Sequence, residues 1–257
     1  MDLSVITVTW NSESRIADQI SSVVLGCGNI SAEQLIVDNN SSDKTVDVIK
    51  KDFPNVGLIE NKENKGFARA NNQAVEIAKG DFVLFLNPDM KVEEGSLEKL
   101  VNWMRGHRDV GIASCKLTKE NGEVNLNAAP RRFPSIWNQL AIVLKLPHFF
   151  PKILDKYLMK GFGFDREQEV DSVRGSFLLI RREIVDKLGW GFDPCYFIWF
   201  EDVDLCREVK KMGYKVMYTP FVNCVDYVGD SFKQRSTLWK QKQFIKSMIT
   251  YFGKWGI

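Results

Sequence analysis

Apolar and polar positions along the first half of the chain switch repeatedly between two periods. Leu3–Trp10 is a β-rich apolar run and reads as a buried strand. From Ser14 to Leu25 the residues Ile16, Ile20, Val23 and Val24 share a helical face that stops at Gly26. Gln34–Val37 reads as a short strand, Lys44–Phe53 as a helix stopped by Pro54, and Val56–Glu60 as a strand. Gly66–Ala78 then reads as a helix, Phe82–Leu86 as a strand, Ser96–Met104 as a helix and Gly111–Lys116 as a strand. This alternation predicts an α/β fold: a mostly parallel sheet with helices on both faces. The polar clusters Thr9–Asn11, Asp38–Asp43 and Asn87–Asp89 all fall at strand ends, where such sheets bind ligands.

The second half is less regular. Arg131–Lys160 mixes basic residues with Phe133, Trp137, Phe149, Phe150 and Tyr157. Val173–Ile180 reads as a strand, Arg181–Leu188 and Glu201–Met212 as helices, and Tyr214–Tyr218 as a strand ending at Pro220. No repeat or low-complexity linker divides the chain. Residues 1–230 are expected to form one domain, in two halves over 1–117 and 118–230. Residues 231–257 are expected to form a basic amphipathic helical segment.

Composition narrows the class. With 44% apolar and 26% charged residues, the 257-residue chain can bury a core without staples, and it has no apolar run long enough to span a bilayer. Met1-Asp2-Leu3-Ser4 lacks the basic-then-apolar pattern of a secretory signal. Cys27, Cys115, Cys195, Cys206 and Cys224 are odd in number and scattered, so they read as reduced, buried thiols of a cytoplasmic protein. Two histidines, neither in ligand-like spacing, argue against a histidine-dependent triad or a zinc site. The charge is uneven. Ser231–Ile257 holds six Lys/Arg and no Asp/Glu, which points to an anionic partner for that segment rather than to nucleic-acid coating.

Four motifs are candidates for chemistry. Asn87-Pro88-Asp89 places a carboxylate at the tip of a buried strand, suited to a hard divalent ion and also to a plain turn. Asp38 through Asp43 could accept a base N–H or simply cap the next helix. Asn64-Lys65-Gly66-Phe67, with Asn71 and Asn72 beyond, could present a helix start to a phosphate or sugar. Glu201-Asp202-Val203-Asp204 crowds three acids after Tyr196, Phe197, Trp199 and Phe200, an arrangement that suits a general base or merely a helix's first turn. Gly161-Phe162-Gly163 lacks the third glycine of a dinucleotide fingerprint and is set aside.

In combination, Thr9-Trp10-Asn11, Val37-Asp38-Asn39, Asn64-Lys65-Gly66, Asn87-Pro88-Asp89, Gly175-Ser176-Phe177-Leu178 and Phe200-Glu201-Asp202-Val203-Asp204 resemble the family 2 glycosyltransferases, more narrowly their rhamnosyltransferase-like branch. The resemblance covers about residues 2–231. It implies a GT-A fold, a nucleotide-sugar donor, Mg²⁺ or Mn²⁺, and inversion at the anomeric carbon. On that basis Asp38 would bind a pyrimidine base. Thr9, Asn11, Asn64, Gly66 and Asn71 would shape the donor pocket. Asn87 and Asp89 would stand for the family's DxD motif, with Asp89 as the metal ligand. Asp202 would be the catalytic base, flanked by Glu201 and Asp204. Asp226-Tyr227-Val228-Gly229-Asp230-Ser231 stands where the family carries His-x-x-Gly-x-Ser, so Asp226 would take the histidine's metal position, or metal binding would differ here.

The implied activity is transfer of a sugar, first rhamnose from a dTDP donor, to a glycan or lipid-linked acceptor in cell-surface polysaccharide synthesis. A UDP-hexose donor and a non-catalytic nucleotide-sugar or glycan-binding module are the alternatives. A nucleotidyltransferase would carry a Gly-rich basic loop where this chain has Thr9-Trp10-Asn11-Ser12-Glu13. The basic segment after Ser231, or Arg131–Lys160, could lie on the inner face of the cell membrane, or both could pack on the sheet.

Overall fold

The computed structural model describes residues 1–227 and 236–256 of the chain. Val228-Gly229-Asp230-Ser231 of the expected metal motif and Lys233 and Arg235 of the basic segment lie outside the described residues. The described elements run β1 (Leu3–Thr9), α1 (Ile16–Cys27), β2 (Ala32–Asp38), α2 (Thr45–Asp52), β3 (Gly57–Glu60), α3 (Phe67–Val75), β4 (Phe82–Leu86), β5 (Met90–Val92), α4 (Ser96–Gly106) and β6 (Val110–Thr118). They continue with α5 (Ile136–Val143), β7 (Gln168–Glu169), β8 (Phe177–Arg181), α6 (Arg182–Leu188), α7 (Glu201–Lys211), β9 (Lys215–Asp226) and α8 (Thr237–Trp255), with short 3₁₀ turns at Leu126–Ala128 and Leu146–His148.

One sheet carries the fold, in the order β3-β2-β1-β4-β8-β6-β9-β5, with β7 on β9. The first four strands are mutually parallel. The chain runs outward from β1 to β3 and returns to β4 on the other side of β1, which makes a topological switch point between β1 and β4. A crevice opens there at the carboxyl ends of the strands. On the other flank the sheet is mixed. β8 lies antiparallel between β4 and β6, so the strand expected to follow β4 is separated from it by one from the second half of the chain.

Alternation along the strands sends side chains to two faces. Leu3, Val5, Leu84 and Phe177 pack with Val23 of α1 and Leu97, Leu100 and Met104 of α4. Ile6, Val83, Phe85, Leu178 and Ile180 pack with Ala70 and Ala74 of α3, Ile184 of α6 and Leu205 of α7. Full burial of one such large side chain is worth about 1.5–3 kcal/mol, so both layers hold the strand ends firmly.

Two expectations need correction. The strand at Tyr214–Tyr218 does not stop at Pro220. β9 continues to Asp226, and its register with β6 jumps from Cys115↔Thr219 to Lys116↔Asn223. The bulge removes Pro220 from the ladder, so its missing N–H costs no strand bond. The thiols are all free, but Cys195 is exposed rather than buried. Within 231–257, α8 buries Tyr251 against Tyr196 and Phe200. Among the described residues, no helix is long and apolar enough to cross a membrane.

Candidate active site

A cavity of about 330 Å³ opens at the switch point. Val8 and Trp10 from the end of β1, Asn39 after β2, and Asn64 and Gly66 before α3 line one side. Asn87, Pro88 and Asp89 after β4, Asp226 at the end of β9, and Arg174, Gly175, Glu201 and Asp202 line the rest.

The wall beside β1 and β2 is a lattice of small polar groups. Thr9 and Asp38 are register partners on β1 and β2. Thr9 Oγ1 donates to Asp38 Oδ1 at 3.0 Å, while Ser41 N–H and Oγ–H donate to the same carboxylate at 2.9 and 2.5 Å. Both residues are buried behind the cavity, and the wall itself is formed by Asn39. Asn11, at φ 52°, braces the facing loop: its Oδ1 accepts the Ser42 N–H at 2.7 Å and its N–H reaches Ser41 Oγ at 2.9 Å. Asp43 Oδ1 accepts the Thr45 N–H at 3.0 Å in the first turn of α2. Asn39 Nδ2 donates to Asn64 Oδ1 at 3.1 Å, and Asn39 Oδ1 accepts the Lys65 N–H at 2.9 Å. Asn71 faces inward and donates to Phe67 O at 2.9 Å, one helical turn back.

Gly66 joins the two sides. Its φ is +85°, and a Cβ there would stand 2.6 Å from the Phe197 carbonyl oxygen and 2.7 Å from its ring. The Phe67 N–H donates to that same carbonyl at 2.7 Å. Only glycine allows this approach of backbone to backbone.

Two hydrogen bonds connect the strand-end turn to the helix-start acids. Asn87 N–H donates to Ser176 O at 3.0 Å, and the neighbouring Gly175 N–H donates to Asp202 Oδ2 at 3.1 Å. Asp202 Oδ1 accepts the Val203 N–H at 2.8 Å. Immediately before these acids, Trp199 and Phe200 adopt φ values of 65° and 68°, a left-handed conformation that bulky residues rarely hold. That turn is clamped from behind by α8. Phe200 packs on Phe244 and Tyr251 with ring centroids 5.5 and 5.4 Å apart, and Ser247 Oγ donates to Ile198 O at 2.7 Å.

The three acids of the motif part company. Asp202 and Glu201 line the cavity. Glu201 Oε2 is buried and finds no hydrogen-bond partner among the described residues. Burial first, then the charge of Asp202, hold its carboxyl well above the ordinary glutamate range. A neutral Glu201 removes one charge from a crowded pair. Asp204 does not line the cavity. It is fully buried and accepts from Lys254 Nζ at 2.7 Å, Trp255 Nε1 at 2.8 Å and Tyr196 Oη at 3.2 Å. Burial raises its carboxyl despite these donors. The first-turn acid expected to flank the base is therefore an anchor for α8.

Asp89 and Asp226 line the same cavity because β5 pairs antiparallel with β9, Met90 opposite Asp226, and the Tyr227 N–H donates to Asp89 O at 3.0 Å. Asn125 Nδ2 donates to Asp226 Oδ2 at 2.8 Å. These two carboxylates are an all-oxygen donor pair, which fits a hard divalent cation completing its shell with phosphate and water. No group of three His, Cys, Asp or Glu among the described residues could hold a metal ion.

Several cavity residues escape a motif reading: Asn39 as the wall in place of Asp38, Asn125, Trp239, and above all Arg174. Its Nη2 donates to Asn127 O at 2.9 Å, and its charge lies within reach of Glu201 and Asp202. Burial and nearby Arg131 lower its pKa. An isolated Arg before Gly175-Ser176 in an apolar run was the available signal.

Comparison with known proteins bears on this geometry. The N-acetylglucosaminyl-diphospho-decaprenol L-rhamnosyltransferase of Mycobacterium tuberculosis is 28% identical over 244 residues, which span 89% of this chain and 77% of that one. Rhamnosyltransferase WbbL of Escherichia coli is 26% identical over 199 residues, covering 74% of this chain and 70% of its own. In solved structures, a mannosyltransferase from Pyrobaculum calidifontis in complex with GDP-Man and Mn²⁺ superposes with a TM-score of 0.62 at 20% identity, covering 98% of this chain and 63% of that one. The fold is thus GT-A. The model of the glycosyl transferase family 2 matches residues 4–189, and this chain belongs to that family as a glycosyltransferase.

Proposed function

We propose that the enzyme transfers a sugar, with inversion, from a nucleoside diphosphate donor to a hydroxyl of a lipid-linked glycan acceptor at the inner face of the membrane. The observation that carries this reading is the pairing of Asn87-Pro88-Asp89 and Asp202 on opposite sides of the Gly175-Ser176 bridge in one cavity. In this reading Asp202 accepts the proton of the acceptor hydroxyl as its oxygen attacks the anomeric carbon, and the bond from that carbon to the diphosphate oxygen breaks on the far side. Gly175 N–H and Val203 N–H fix the carboxylate's orientation, so no reorganisation is needed at the moment of transfer.

Asp89 and Asp226 would hold Mg²⁺ or Mn²⁺, which when bound neutralises charge developing on the leaving diphosphate. Arg174 keeps a permanent positive charge in the same cavity. Asp38, fixed by Thr9 and Ser41 behind the wall, would hold Asn39 in place, and Asn39, Asn64 and Gly66 would contact the nucleotide. Asn11 and Asn71 support that wall rather than touch the ligand. The two relatives named as rhamnosyltransferases support rhamnose as the first sugar to test, offered from a dTDP donor, with UDP-hexoses next.

Thermal melting with a panel of dTDP-, UDP- and GDP-sugars, each in EDTA, Mg²⁺ or Mn²⁺, tests the proposal, because a ligand bound only by the native state raises the melting temperature. The expected result is a metal-dependent rise with a dTDP sugar, reduced in Asp89→Asn. A rise with UDP sugars alone would replace the donor. No rise with any donor on folded protein would overturn the reading.

A further inference from the structure

The segment between Arg131 and Lys160 has an inverted helix at its centre. On α5 the side turned inward carries Gln139 and Ala141, while Ile136, Trp137, Leu140, Val143 and Leu144 are exposed. Those five positions repeat at helical spacing, so they form one outward apolar face. Farther along, Phe149 and Phe150 are 77% and 62% exposed, and Trp137 is 82% exposed. Trp137, Leu140 and Leu144 share a groove with Ile153, Arg132 and Lys156. Scattered exposed apolar side chains need no explanation, but a contiguous set of this size does.

The charge within this segment is one-sided, and outside it Asp171 stands 3.6 Å from Arg132. Residues 131–160 hold six Lys/Arg and a single acid, Asp155, which lies 3.5 Å from Lys160. Arg132, Lys145, Lys152, Lys156 and Lys160 are all exposed. A second copy of the same surface would set cation against cation, which disfavours self-association. Bulky apolar side chains rimmed by lysines instead match the headgroup boundary of an anionic bilayer. The face also adjoins the cavity: Arg131 Nη2 donates to Asn127 O at 3.1 Å, and both Asn127 and Ala128 line the cavity. We propose that residues 131–160, centred on the outward face of α5, dock the protein onto an anionic lipid bilayer beside the cavity mouth.

The basic C-terminal segment holds a lesser claim. α8 turns Tyr251 inward against the domain and shows only Leu238, Ile245 and Ile249 among exposed lysines. Docking stands apart from the transferase reading. Only delivery of a lipid-linked acceptor rests on that reading, and vesicle binding is measured without turnover.

The test uses the full chain with vesicles of phosphatidylcholine alone or of equal parts phosphatidylcholine and phosphatidylglycerol. The protein is expected to float with the anionic vesicles and to be released by salt. The combined variant Trp137→Ser, Phe149→Ser, Phe150→Ser is expected to lose partitioning by about tenfold or more, with an unchanged melting temperature. Should that variant unfold, Trp137→Phe serves instead: tryptophan quenching by brominated phosphatidylcholine in the anionic vesicles is expected to fall while flotation persists. No flotation of the parent, equal flotation of a folded triple variant, undiminished quenching in Trp137→Phe, or a dimer in sedimentation velocity that these substitutions dissociate would each overturn the proposal.

Discussion

The two walls of the cavity are built on different principles. Beside β1 and β2, short hydrogen bonds join Thr9, Asp38 and Ser41 in one set and Asn39 and Asn64 in another. Opposite them stand two left-handed bulky residues, a buried carboxyl oxygen without a partner among the described residues, and a helix clamped by an ion pair from α8. On the proposed reading the satisfied wall takes the part of the ligand that does not change. Strain and an unmatched polar group stand on the wall where the proton would move, and tertiary packing holds them there.

Four measurements would break or sharpen that contrast. The largest effect is expected from Asp202→Asn, which removes the proposed base while its neighbour Gly175 keeps an acceptor. Turnover should fall by about 10²–10⁴-fold with donor-induced stabilisation intact. Near-normal turnover would put the base elsewhere. Next is Lys254→Met, which leaves the fully buried Asp204 without its cation. Urea unfolding should show a loss of about 3 kcal/mol, since stripping one partner from a buried pair is costly. A change too small to measure would mean that Trp255 and Tyr196 suffice to hold α8.

Gly66→Ala tests the junction of the two walls. The backbone at φ 85° and ψ 170°, a region that suits only glycine, should alone cost about 1–3 kcal/mol. The approach to Phe197 should also shift that residue and weaken nucleotide binding seen by calorimetry. The smallest effect is expected from Glu201→Gln, and it depends on pH. Its folded-state carboxyl is raised, so the native protein keeps a proton that the unfolded chain releases above about pH 4.3. This contribution is fully present below that pH and is lost as pH rises toward the folded-state value. Gln cannot ionise. The variant should therefore match the parent in acid and melt higher than it near neutrality, and a constant difference across pH would contradict the raised carboxyl.

Local pattern determined a good deal. Period and punctuation place the elements from β1 to β6 within a few residues, except β5, which they miss, because each other strand is a short apolar run between Gly, Pro, Asn or Asp signals that act locally. Motif order was enough to indicate the family, and Asn64, Gly66, Asn87, Asp89, Glu201, Asp202 and Asp226 do line one cavity. What long-range pairing decided was invisible along the chain. That β8 inserts between β4 and β6, that Asp204 faces Lys254 fifty residues away, and that Arg174 enters the cavity all depend on which surfaces meet. The same holds for the two amphipathic stretches. Composition alone could not tell which would bury its apolar face. In the fold α8 turns its aromatic residues onto the Trp199–Phe200 turn, while α5 turns Gln139 inward and leaves its tryptophan outside. Periodicity states that a helix has an apolar face, and only the tertiary structure states what covers it.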